Sequence, residues 1–352
     1  MNDIYEKDLN TVYNSIPNIE KLKKKKIFIA GSNGLIGSFI IDFIMYLNNK
    51  YDYGTTIIAN SRSSTKLFSR FEKYKENKYF KYYIGDINEN INYDGSVDYI
   101  INCASNTHPF QYANDPIGTI LTNIRGNANI LNFSVAKKVK KIIFLSSVEI
   151  YGENINNVER FKEDQMGYIN CNSLRAGYNE SKRTGEALCQ AYIEKYDLDI
   201  SIVRLPRIYG PTVKKDDTKA MSQFINNALN NEDIVLKSKG EQYFSYLYVA
   251  DAVSGILTTL INGKKGEAYN LGNIYSDIKL KDLAKLISSE VSRKVIFKIP
   301  NATEQKGFSK SVDARLNYDK ISNELNWQPK FDISTGINHT INILKEKNNK
   351  AK

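Results

Sequence analysis

The chain has 352 residues, 41% of them hydrophobic and 25% charged, the make-up of an ordinary soluble globular protein with room for one to three domains. Half of its net charge of +10 comes from Lys21 and the four lysines at 23–26. That run reads as a solvated basic collar, which also draws phosphate-bearing substrates, and no nucleic-acid motif accompanies it. No apolar run is long enough to span a bilayer, residues 1–20 lack signal-peptide character, and Cys103, Cys171, Cys189, His108 and His339 show no metal or redox spacing, so a cytoplasmic protein without a metal site is expected.

In chain order, residues 1–22 read as a polar lead-in with one helical turn. The first strand ends at Ala30 and runs into Gly31-x-x-Gly34-x-x-Gly37, with an apolar helical pattern following at Leu35, Phe39, Ile40 and Phe43. A strand, a tight glycine turn and a helix N-terminus present backbone N–H groups and a positive dipole end to a pyrophosphate. The same residues also suit a plain glycine-rich turn; their position, after the first strand and opening the first long helix, favours dinucleotide binding. Asn33, Leu35 and Ile36 belong to this turn.

Further strands are expected at 55–60, 80–84, 97–103, 142–146 and 200–205, with long helices at 116–138 and 175–196. Apolar, β-branched strands alternating with helices predict a doubly wound α/β fold, a Rossmann-type parallel sheet covered on both faces. Beyond Tyr209-Gly210-Pro211 the elements shorten; 246–249 reads as a return to the sheet, and helices are expected at 251–261, 278–289 and 319–325. The division that follows is an N-terminal extension at 1–22, a dinucleotide domain at 23–203 plus about 245–272, and a smaller mixed α/β substrate domain at about 204–244 and 273–345.

The adenosine end of a cofactor is read at the tip of the second strand, where an acid would hold the ribose in an NAD enzyme. Here Ala59-Asn60-Ser61-Arg62-Ser63-Ser64 has no acid, so Arg62 either takes a 2′-phosphate, leaning toward NADP, or stacks on adenine or points to water. Asp86-Ile87, after the third strand, is placed to meet the adenine. Tyr178 and Lys182 lie four apart on one helical face, so the ammonium can favour the ionised phenol, which otherwise titrates near 10 and is a poor base. A surface pair at that spacing is the plain alternative. Ser147 supplies a hydroxyl at the carboxyl end of the fifth strand, where ligand crevices form, and Glu149 shares its face as either a general base or a structural carboxylate.

Taken in order, Gly31-x-x-Gly34-x-x-Gly37, Ser147, Tyr178-x-x-x-Lys182 and Tyr209-Gly210-Pro211 resemble the extended short-chain dehydrogenase/reductases that modify nucleotide sugars. Asn114-Asp115-Pro116-Ile117, Thr122-Asn123, the run from Arg175 to Arg183 and Tyr269-Asn270-Leu271-Gly272-Asn273 are most similar to the UDP-glucuronate decarboxylases, from about residue 25 to 345. The resemblance implies that Tyr178 takes the proton of the sugar 4-hydroxyl as hydride passes to bound NAD, with Ser147 bonding that oxygen and Lys182 tuning Tyr178. It also implies that Ala104 and Asn123 lie at the cofactor, that Thr107, Glu149, Arg207, Gln223 and Phe244 lie at a nucleotide-sugar substrate, and that the enzyme is a homodimer. Glu149 matches the decarboxylases, and Val148 stands where dehydratases carry an acid, which disfavours dehydration.

Two departures from the pattern stand out: Phe244 replaces a phosphate-binding arginine, and Arg207 replaces an asparagine. Arg207 is therefore expected either to supply the missing cation at the pyrophosphate or to pair with a local carboxylate. Decarboxylation is the expected outcome, with epimerisation as the first rival, then 4,6-dehydration or net 4-keto reduction, and non-catalytic cofactor binding last.

Overall fold

The computed structural model describes residues 2–105, 114–173, 176–298 and 313–350. Seven strands, β1 (Lys26–Ala30), β2 (Thr56–Ser61), β3 (Phe80–Ile84), β4 (Tyr99–Asn102), β5 (Lys141–Ser147), β6 (Ile200–Leu205) and, after three that lie outside this sheet, β10 (Ala268–Asn270), pair in parallel in the order β10-β6-β5-β4-β1-β2-β3. The inner strands are apolar on both faces because both are covered, whereas the edge strand β3 exposes Lys81, Tyr82 and Ile84. Ile27 and Ile29 pack with Phe39, Ile40 and Phe43 on one side, while Phe28 and Ala30 pack with Ile130, Leu131 and Phe133 on the other. The chain reverses its direction across the sheet between β1 and β4, and ligand crevices form at the carboxyl ends of strands at such a switch point.

The polar lead-in is instead a helix, Asp3–Ser15, capped by Asn2 and burying Tyr5, Asp8, Leu9 and Val12. Those positions lie on one face, which packs on the helices Val249–Asn262 and Ile333–Lys350. The second of these helices had no counterpart among the expected elements. The strand expected near 246–249 does not rejoin the main sheet. It is β9 (Tyr243–Tyr248), which pairs with β7 (Arg207–Tyr209), β11 (Asp277–Lys279) and β13 (Asp313–Ala314) in a second, mixed sheet. A third pair, β8 (Ile234–Leu236) with β12 (Val295–Phe297), completes the described strands. β10 is the strand that closes the edge of the seven-stranded sheet.

Candidate active site

Gly31 has φ +76°, and a Cβ there would lie 2.9 Å from the backbone of Ala104, so the end of β1 and the loop after β4 meet closely only because no side chain intervenes. A Cβ on Gly37 would come within 2.6 Å of Gly31 O. Gly34 caps the helix Leu35–Tyr51 without a side-chain bond, so no side chain covers the N–H groups of its first turn. Asn33 Nδ2 donates to Ser61 Oγ at 3.2 Å, while its buried Oδ1 has no hydrogen-bond partner among the described residues. At the tips of β2 and β3, Arg62 stands 3.9 Å from Asp86 and is mostly exposed. A bare helix N-terminus, a cradle a side chain would fill and an unsatisfied amide oxygen together fit a dinucleotide.

Lys182 is buried in the helix Ala176–Tyr196 and donates to Leu145 O on β5 at 2.8 Å, with its ammonium over the Phe144 ring, 5.0 Å from the ring centre. Loss of solvent around the ammonium pulls its pKa down to about 8. Tyr178, one turn earlier, is buried as well. Ser147 ends β5, and its Oγ accepts a hydrogen bond from Glu149 N at 3.2 Å, which turns the Glu149 carboxylate toward the same crevice. Cys103 also borders the crevice, but burial pushes its thiol up to about 12, so it stays protonated.

A cavity of about 490 Å³ joins these groups. It begins at Gly31, Gly34 and Gly37, passes Ser147, Tyr178 and Lys182, and ends among Arg207, Lys219 and Lys237. Register explains one wall: Ser147 pairs with Leu205 across β5 and β6, so Glu149 and Arg207, each two residues further, face one another. Arg207 Nη2 lies 3.5 Å from Glu149 Oε1, and its guanidinium stacks 3.4 Å from the centre of the Phe244 ring. Arg207 Nη1 is buried and finds no hydrogen-bond partner among the described residues.

A family profile described as "NAD dependent epimerase/dehydratase family" matches residues 27–272. The chain belongs to that family. UDP-glucuronic acid decarboxylase 1 of Xenopus tropicalis is 28% identical over 97% of this chain and 77% of its own length. UDP-glucose 4-epimerase from Thermotoga maritima, solved with UDP-glucose, superposes with a TM-score of 0.77 at 22% identity, covering 92% of this chain and 99% of that one. UDP-glucuronic acid 4-epimerase from Bacillus cereus, solved with UDP-glucuronic acid and NAD, gives a TM-score of 0.76 at 20% identity over 92% and 99% of the two chains.

Within this family fold the residues singled out from the sequence divide into three groups. Gly31, Gly34, Leu35, Ile36, Gly37, Ser147, Glu149, Tyr178, Lys182, Arg207, Gln223 and Phe244 border the cavity. Asn33, Arg62 and Asp86 gather beside it at the tips of β2 and β3. Ile87, Ala104 and Asn123 do not border it. Ile87 is buried beneath Gly126, and Asn123 is buried with its amide spent between Ser105 Oγ at 2.8 Å and Ser181 Oγ at 2.9 Å. Asn123 therefore aligns the loop after β4 with the Tyr178 helix. Thr107 lies outside the described residues.

Of the two expectations for Arg207, the structure has the pairing with a local carboxylate, Glu149. The cations that the sequence did not single out are Lys214, Lys219 and Lys237, all bordering the cavity. Lys219 pairs with Asp217 at 3.8 Å, and burial lowers its pKa. Lys214 is lowered too, by burial and by the nearby charges of Lys66, Arg62 and Arg70. Each sits in a polar loop where lysine is the default solvent-facing residue, so no local signal marks it.

Proposed function

We propose that the chain oxidises carbon 4 of a nucleotide-activated sugar with bound NAD and that its product is the decarboxylated sugar. One observation carries this reading: a single cavity connects the glycine turn to Ser147, Tyr178 and Lys182 and then to a cationic wall. A curated relative matched over 97% of this chain and 77% of its own length is a UDP-glucuronic acid decarboxylase, and a structural neighbour holds UDP-glucuronic acid and NAD. Asp86 beside Arg62 supports NAD over its 2′-phosphorylated form, because that carboxylate would repel the extra phosphate.

NAD, when bound, accepts the hydride of carbon 4. Tyr178 takes the proton of the 4-hydroxyl, Ser147 Oγ holds that oxygen, and the Lys182 ammonium lowers the cost of the phenolate. In a hexuronate the resulting ketone is β to the carboxylate, so the bond between carbons 5 and 6 breaks, carbon dioxide leaves, and the electron pair passes through an enolate that takes a proton at carbon 5; return of the hydride to carbon 4 would restore NAD. Val148 is buried and apolar and offers no acid to expel water. Lys214, Lys219 and Lys237 hold the diphosphate. The working unit is a homodimer: Ile117 and Leu121 on the helix Pro116–Lys137 are exposed one turn apart, a pattern suited to a partner helix. Three unpaired cysteines suit the cytoplasm.

The test is incubation of the purified protein with UDP-, CDP-, GDP- and dTDP-linked glucose and glucuronate, read by mass spectrometry. A mass loss equal to carbon dioxide is expected, together with NAD released on denaturation. Loss of water, or isomers of unchanged mass, would reassign the outcome, and no conversion with no released nucleotide would overturn the proposal.

A further inference from the structure

We infer that Arg207 is the residue that selects an acidic sugar: its guanidinium grips the sugar carboxylate, while the lysines at the far wall serve the phosphates. This rests on the reading of the chain as a nucleotide-sugar enzyme and assigns the choice of sugar to one side chain.

Position is the first argument. Arg207 lies on β7, two residues beyond Leu205, and Leu205 is the register partner of Ser147. Its guanidinium is 3.5 Å from Glu149, whose backbone N–H is bonded to Ser147 Oγ. A cation there stands beside the reacting carbon rather than along the diphosphate. Among the described residues bordering the cavity the other cations are Lys182, which is spent on Leu145 O, and Lys214, Lys219 and Lys237.

The state of the side chain is the second argument. Stacking on Phe244 at 3.4 Å fixes the plane of the guanidinium, so little freedom remains to be lost on binding. Glu149 lies against Nη2, and among the described residues the buried Nη1 finds no hydrogen-bond partner. A buried N–H of this kind is costly unless a ligand completes it, and a planar fork matches a carboxylate in two parallel bonds. A neutral hydroxymethyl group in the same place would leave that donor poorly satisfied.

Third, the two departures from the family pattern are one unit. Arg207 pairs in register with Tyr246 across β7 and β9, which places Phe244 two residues earlier along the strand beneath the guanidinium. An arginine at 244 would set two like charges face to face; phenylalanine provides the platform instead.

The test is calorimetric binding to the NAD-loaded protein in a Tyr178→Phe background, which arrests turnover, with UDP-glucuronate, UDP-glucose and UDP as probes. The unsubstituted pocket should prefer UDP-glucuronate to UDP-glucose. Arg207→Met should weaken UDP-glucuronate about tenfold or more and leave UDP-glucose and UDP within about twofold, with Arg207→Lys in between. The same selective loss in a Glu149→Gln background excludes simple repulsion by the Glu149 charge. Retained NAD certifies that each variant is folded. Equal weakening of all three probes would put Arg207 on the phosphates and overturn the inference, as would no preference between the two sugars or a loss that vanishes with Glu149→Gln. The selective pattern in a protein that converts no sugar would overturn the proposed reaction alone.

Discussion

Tyr248 Oη donates a 2.6 Å hydrogen bond to Asp8 Oδ2, joining the last residue of β9 to the N-terminal helix 240 positions earlier. His339 Nδ1 meets the other carboxylate oxygen at 2.8 Å, from the C-terminal helix. Asp8 is fully buried, so the three elements share one polar knot inside an apolar layer. Asp8→Ala should cost about 2 to 3 kcal/mol by leaving the Tyr248 hydroxyl and the imidazole without a partner. The check is the urea midpoint of the full chain; a shift no larger than that of an exposed control such as Asp3→Ala would show the knot to be idle.

Asp251 gives a pH dependence of opposite sense to that of most carboxylates. Burial raises its pKa to about 7, although the backbone N–H groups of Lys330 and Phe331, at 2.8 and 3.0 Å, pull it down. The unfolded carboxyl loses its proton near 4 while the folded one keeps it, so the folded state binds more protons across that window. This group's contribution is therefore complete below about pH 4 and lost as pH rises through about 7. Relative to Asp251→Asn, the unsubstituted protein should lose stability between about pH 4 and about 7; parallel stability curves for the two would exclude the assignment.

The parts of the fold and site that were legible share one property: their signal is local. The glycine turn, Ser147 and the Tyr178/Lys182 pair each declare themselves within a few residues, because a tight strand-to-helix turn and a single helical face demand fixed spacings. The N-terminal helix was hidden because its buried face includes Asp8, a charge that only the distant Tyr248 and His339 make tolerable. Arg207 and Phe244 were visible as oddities but not as partners, since their stacking depends on the pairing of β7 with β9. The three cavity lysines depend on loops folding back over the sheet, which no spacing encodes.

The glycine turn predicts a separable defect. Gly31→Ala forces a Cβ into the backbone of Ala104 at a φ of +76°, so it should lower retained NAD at least about tenfold and also lower the melting temperature. Nucleotide released from equal amounts of purified protein is the measurement, and undiminished retention would mean that the dinucleotide lies elsewhere.

Tyr178→Phe removes one oxygen from a buried ring and leaves the cradle untouched. Turnover should fall by about 10³-fold or more while released NAD stays at the unsubstituted level. Residual turnover near the unsubstituted rate would assign the proton transfer to another group.

The alkaline side of the pH–rate profile should report Lys182. Its ammonium is desolvated beneath the sheet, so it gives up its proton near pH 8 instead of above 10. Once neutral it no longer favours the Tyr178 phenolate, and the base becomes costlier to form as pH rises through that value. Raising the pH would by itself help a free phenol to ionise, so a fall in rate, and not a rise, distinguishes control by the ammonium. kcat/KM measured from about pH 6 to about 10 should therefore decline with a midpoint near 8. Lys182→Arg, slower because its fork misfits the space below Leu145 O, keeps its charge throughout the range and should lose that decline. A limb of unchanged midpoint in the arginine variant would belong to a different residue.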